Sequence, residues 1–333
     1  GGGTTDIAFA KDKNISHVTS FRFASNALFE NSFSELDENN GIVDWHKNEI
    51  QKLLEEKNLM DLIRVFNSPN NTKPANMASF LFGLKDNTIP QRAGVNVKAI
   101  DFNYILQEDE DFKIVFIIFY TAIVYHIAQI VKSLNLEVPR HISFSGNGSK
   151  VIRVITTDSK LLARYTKMIF EKLLGKPYGK ELDLLGLEKD SNPKESTCKG
   201  GIIGTEDEDN RDKTIVFKSD CTGLVTPKDT YANIKDDYKR RTVTAVEDFF
   251  KFVLVDMNSA FNFDKNFGVK PSSIRIAQEM AKKDLLTFLE KGISQRCEET
   301  EAEDMIEETF FYYPIKGVLN AISAEIYNEL QQS

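Results

Sequence analysis

Two stretches of the chain gather residues that can meet a phosphorylated ligand. The first is Gly1-Gly2-Gly3-Thr4-Thr5-Asp6-Ile7. Consecutive glycines let backbone N–H groups point into one concavity, and no Cβ keeps phosphate oxygens away. The hydroxyls of Thr4 and Thr5 can donate to the same oxygens. Asp6 can hold a water of a Mg²⁺ ion, which keeps several waters and needs few carboxylates. The plain alternative is a glycine tag before an ordinary strand, which would not account for Thr-Thr-Asp followed by alternating Ile7 and Phe9. The second stretch is Gly146-Asn147-Gly148-Ser149-Lys150, behind the apolar His141 to Ser145. Alone it reads as an ordinary turn.

Other chemistry is sparse. The four histidines, His17, His46, His126 and His141, show no metal-binding spacing such as H-E-x-x-H. No G-x-S-x-G elbow anchors a hydrolase triad. Cys198, Cys221 and Cys297 are odd in number and far apart, which speaks against a disulfide framework and for a reducing compartment such as the cytoplasm. The acidic run Glu298 to Glu308 reads as a solvated helix face with its acids in the first turn. Lys239-Arg240-Arg241 reads as a solvated cluster ahead of a helix.

The elements that must position these residues follow from periodicity. Thr4 to Ala10 reads as a strand with His17 to Phe23 as its return partner. Val43 to Phe66 is helical in pattern, and Asn67 to Pro74 is a loop by turn chemistry. Ile114 to Val131 approaches the length of a membrane span. It reads as a buried core helix because it carries Thr121, His126 and Gln129 and has lysines at both flanks; His126 reads as a satisfied core group. A strand at His141–Ser145, the glycine turn and a helix carrying Leu162, Tyr165 and Ile169 follow, stopped by Gly175 and Pro177. This helix, strand, turn, helix order is an α/β layered pattern. Residues 205–213 are a polar boundary loop, and Thr214 to Lys218 reads as a strand. Beyond Asp237 one apolar stripe runs from Val243 to Met257. A second runs from Ile276 to Leu289 and stops at Gly292, and a third follows Pro314.

Composition bounds the function. The chain has 333 residues, 41% hydrophobic and 28% charged, enough for about two domains with a sizeable core. A net charge of −8 is the wrong sign for a broad nucleic-acid footprint or an electrostatic membrane binder. The N-terminus lacks the basic and apolar regions of a signal peptide. It begins abruptly at Gly1 without Met, so a fragment of a longer protein is expected.

The string Gly1-Gly2-Gly3-Thr4-Thr5-Asp6-Ile7 resembles the second phosphate-binding loop of the actin and seventy-kilodalton heat-shock chaperone superfamily, which also contains sugar kinases. Ile142 to Lys150 looks like that family's adenosine loop. The chaperones usually show Gly-Gly where this chain has Gly146-Asn147, and Lys150 stands where they place an arginine against the adenine. Asn192-Pro193 through Lys199-Gly200-Gly201 is similar to the segment that returns the chain from that loop.

The resemblance implies an α/β fold: an actin-like ATPase lobe, a ribonuclease H-like mixed sheet flanked by helices. The lobe is expected over residues 1–34 and 101–204, with a small inserted lobe at 35–100 and a mostly helical C-terminal region at 205–333. The implied ligand is ATP or ADP with Mg²⁺. Gly1, Gly2, Gly3, Thr4 and Thr5 would meet phosphates, and Asp6 would act through magnesium waters. Gly146, Asn147, Gly148, Ser149 and Lys150 would line the adenosine. As the second half of such a protein, the chain is expected to bind nucleotide weakly and hydrolyse it negligibly, because phosphoryl transfer needs charge stabilisation from both sides. A nucleotide-dependent switch with a protein partner or self-assembly is the leading expectation. A non-hydrolysing scaffold or filament subunit, or a small-molecule kinase on the same fold, is the alternative.

Overall fold

Alternation of apolar and polar residues makes the N-terminal strands, and the computed structural model shows them as a hairpin. Strand β1 (Thr5–Lys11) pairs antiparallel with β2 (Asn14–Phe21), with Thr5 opposite Phe21 and Asp6 opposite Ser20. Thr5, Ile7 and Phe9 are half-buried, whereas Asp6, Ala8 and Ala10 are exposed. The structure describes residues 3–11, 14–29, 40–56, 58, 60, 63–64, 67, 109–187, 216–217, 229–301, 303–304, 306 and 308–332. The expected loop at 67–74, all but Asn67, and the segment Asn192–Gly201 lie outside them, as do Gly1 and Gly2.

Helix dominates the described residues. After a short 3₁₀ turn (Ser25–Leu28) come α1 (Gly41–Glu56) and α2 (Lys113–Ser133). Strand β3 (His141–Ser143), a 3₁₀ segment (Asn147–Val154), α3 (Ser159–Leu174) and β4 (Asp183–Leu185) follow, with β3 and β4 parallel. Strand β5 (Val216–Phe217) pairs parallel with β2. The C-terminal part holds α4 (Asp236–Lys251), a π turn (Phe252–Met257), α5 (Asn258–Phe261) and α6 (Phe263–Phe267). It ends with α7 (Pro271–Met280), α8 (Leu285–Glu299) and α9 (Tyr312–Gln332). The sheets are β1-β2-β5 and β3-β4; among the described residues no ladder joins them into the single mixed sheet that the resemblance implies.

The apolar stretch near residue 120 is the centre of the molecule. Of the most apolar window of α2, 94% is buried inside the protein. A helix apolar on every side belongs where every side is covered, and α3, α7 and α9 pack around it. Its polar groups are met from those neighbours. The Tyr120 hydroxyl lies 2.6 Å from Thr166 Oγ1, and Thr121 Oγ1 lies 2.6 Å from the Tyr165 hydroxyl. His126 Nδ1 is 2.5 Å from the Tyr312 hydroxyl, but the buried His126 Nε2 has no hydrogen-bond partner among the described residues, so the expected satisfaction of this group is half met there.

Helix ends follow local chemistry. Asp158 caps α3 by accepting from the N–H groups of Lys160 and Leu161, and Gly175 closes it in the left-handed conformation. Asp158→Ala is expected to lower stability by about 1 kcal/mol; an unchanged urea midpoint would show that the cap contributes nothing.

Several expectations are corrected. Glu298 and Glu299 sit in the last turn of α8, not the first turn of a helix, and the residues described after Thr300 are non-helical until Tyr312. The stripe from Ile276 to Leu289 is two helices, broken where Asp284 turns left-handed. Gly292 lies inside α8, where a Cβ would press on the Tyr313 side chain at 2.7 Å; it is a contact point, not a stop. Lys239, Arg240 and Arg241 lie within α4 and pair with Asp236, Asp237 and Glu290. Ile42, Val43 and Leu54 of α1, at the start of the expected 35–100 lobe, belong to the same core as α2, α3 and α9, and residues 68–108 lie outside the described residues. That core also contains Val246 of α4, Ile276 of α7 and Ile322 of α9.

Candidate functional site

The open end of the β1–β2 hairpin brings the predicted phosphate residues to the surface. Gly3 and Thr4 are exposed, and a Cβ on Gly3 would meet nothing within 4 Å among the described residues. The Thr5 hydroxyl donates to the Phe23 carbonyl at 2.6 Å, so it is committed to closing the hairpin. Asp6 is exposed on the opposite face, and the Ser20 hydroxyl donates to its Oδ1 at 2.5 Å across the register. Among the described residues no cluster of three or more His, Cys, Asp or Glu could hold a metal directly.

A pocket of about 490 Å³ opens beside this hairpin end, within the usual size range of ligand sites. Thr4, Ser20 and Arg22 line it from the hairpin, and Tyr231, Arg296 and Glu308 line it from the C-terminal region. Arg296 Nε donates to Glu308 Oε1 at 2.7 Å, and the Tyr231 hydroxyl donates to the same oxygen at 3.0 Å. Burial alone would weaken the Arg296 charge, but the hydrogen bond and charge of Glu308 outweigh it and hold the guanidinium more firmly protonated than usual. Burial, with Glu308 next, pushes the Tyr231 phenol up to about 12.

The second predicted stretch is ordered differently from expectation. Phe144 N–H donates to the Leu185 carbonyl, continuing the β3–β4 pairing, and the chain turns at Gly146 with φ 80° and ψ 154°. That region of backbone space is open essentially to glycine alone. The Ser149 N–H and hydroxyl both bond to the Gly146 carbonyl, at 3.1 and 2.8 Å, folding the turn on itself. Lys150 is 4% exposed and belongs to the interior. Gly148 and Ser149 stay half-buried, and nothing is described for the Asn147 side chain.

The structure therefore places Thr4 and Ser20 at one pocket. It leaves the Gly146 turn on the neighbouring strand–helix unit, linked through the 3₁₀ segment to Ser25–Leu28 behind β2. Arg22, Tyr231, Arg296 and Glu308 carry no motif in the sequence; they are scattered along the chain and meet because β2 and α8 end side by side. No protein-family model matches the chain, no curated protein matches it, and no solved structure matches it.

Proposed function

We infer that the chain is a nucleotide-binding unit of the actin-like, chaperone-like type, taking Mg-ATP or Mg-ADP and acting as a nucleotide-dependent switch. The observation that carries the reading is the order of parts. A Gly-Thr-Thr-Asp hairpin is followed by α1 and the buried α2, then by a strand, a glycine-only turn, a 3₁₀ segment, a helix and a parallel strand. The pocket at Thr4 adds space and two arginines where a phosphate chain would end.

In this reading Gly3 and Thr4 approach the phosphates, and Ser20 orients the Asp6 carboxylate toward the magnesium waters. Magnesium, when bound, neutralises phosphate charge. The backbone around Gly146, Gly148 and Ser149 receives the adenosine, while Lys150 lies buried in the interior.

Binding to the folded state raises the melting midpoint by mass action. Millimolar Mg-ATP is expected to raise the melting temperature, and Asp6→Asn should shrink the magnesium-dependent part of the rise while leaving the ligand-free melting temperature unchanged. No shift with either nucleotide, or a shift unchanged in Asp6→Asn, would sink the reading.

A further inference from the structure

One carboxylate oxygen in the pocket network serves two guanidinium groups. Glu299 Oε2 lies 2.9 Å from Arg22 Nη1 and 3.1 Å from Arg296 Nη1. Glu299 is the last residue of α8, where the helix dipole disfavours a negative charge. Its side chain is about half exposed, as is that of Arg22. Arg296 is better held, because its Nε is fixed on Glu308, which is itself largely buried and also receives the Tyr231 hydroxyl. Two guanidinium groups are thus aimed at one point beside the pocket, and a tethered carboxylate fills it. Of the two acids that line the pocket, Glu308 holds Arg296 and Asp304 accepts from the Glu301 N–H through Oδ2.

The geometry points to Arg22 and Arg296 as a binding fork for the terminal phosphoryl group of a polyphosphate, with Glu299 as a built-in competitor that must swing away for the ligand to enter. Guanidinium pairs suit phosphoryl oxygens because planar N–H donors meet them two at a time. Glu299 is suited to leave: it is exposed, terminal on its helix and opposed by the dipole. Arg296 is suited to stay, since Glu308 anchors it. The ligand would thereby break the contact between Arg22 of the hairpin and the end of α8, coupling occupancy to the C-terminal helices. This deepens the nucleotide reading and rests on it for the identity of the polyphosphate.

The test is calorimetric titration of the full chain with inorganic tripolyphosphate and with Mg-ATP, using Glu299→Gln and Arg22→Gln, both at exposed positions that leave the core intact. Removing a like charge from the path of the anion is expected to tighten tripolyphosphate binding in Glu299→Gln by about tenfold or more. Arg22→Gln added to that variant should cancel the gain. An affinity unchanged in Glu299→Gln, no binding by it at all, or a gain that survives Arg22→Gln overturns the fork. If tripolyphosphate follows the arginines while Mg-ATP gives no shift sensitive to Asp6→Asn, the fork stands and the nucleotide reading falls. If Mg-ATP responds to Asp6→Asn but neither ligand responds to Glu299→Gln, the reading stands and the fork falls.

Discussion

Acidification below pH 6.5 is expected to destabilise this protein through one side chain, His126. The imidazole is fully enclosed between α2 and α9, with Phe21 stacked on it at 4.7 Å and Tyr312 at 5.5 Å. Burial alone pushes its pKa down to about 3. The unfolded chain takes up a proton near the ordinary histidine value of about 6.5, whereas the folded chain does not until far lower. The stabilising difference is therefore fully present above pH 6.5 and is lost as the pH falls toward 3. Each unit in that window costs about 1.4 kcal/mol, a large share of a typical stability of about 5–15 kcal/mol. Urea unfolding between about pH 7 and pH 5 should show this slope. His126→Gln, which cannot titrate, should lose that part of the slope. A constant difference between the two proteins across the range would show that His126 does not titrate this way.

The same region shows what periodicity can and cannot reveal. A run such as Ile114–Val131 has no polar side to point at water, so its burial is readable from composition, as are the hairpin and the Gly175 stop. What escaped were features decided by distant partners. Gly292 looks like a helix stop because glycine often is one, yet here it admits the Tyr313 ring. Glu298 to Glu308 looks like a dipole-favoured first turn, but Tyr312 starts the next helix beyond it, and Glu299 and Glu308 end up facing arginines. In the candidate site, Thr4, Asp6 and Gly146 stand out in the sequence because their glycines and short polar neighbours fall together in short strings. Arg22 and Arg296 are not, since 273 positions and several helices separate residues that one carboxylate brings together. Lys150 was legible as a charge and illegible as a buried one: the 3₁₀ segment after Gly146 rotates it inward, which no spacing rule encodes.

Gly41→Ala is expected to be among the most damaging single-methyl changes in the chain. Gly41 opens α1 directly behind Asn40, whose Oδ1 accepts from the Ile42 and Val43 N–H groups and whose Nδ2 donates to the Leu28 carbonyl at 3.1 Å. This cap fixes where α1 starts, and α1 then runs into α9. A Cβ on Gly41 would overlap the Ser323 carbonyl group and sit 3.0 Å from the Ala324 nitrogen. Both are backbone atoms inside a helix, so neither can swing aside; α1 or α9 would have to move as a unit. Alanine favours helix over glycine by up to about 1 kcal/mol, but forcing volume into a packed interior costs about 1–3 kcal/mol and sometimes more. The steric term wins here because the obstacle is backbone, and a net loss of about 2 kcal/mol or more is expected. Gly3→Ala, which meets nothing within 4 Å, is the matched control and should leave the urea midpoint unchanged. If Gly41→Ala were as stable as that control, α1 would not be seated on α9, and the segment from residue 41 would be free to act as the separate lobe that the sequence suggests. A loss of the expected size makes α1 part of the frame that carries α9, and with it Tyr312 and the floor of the His126 site.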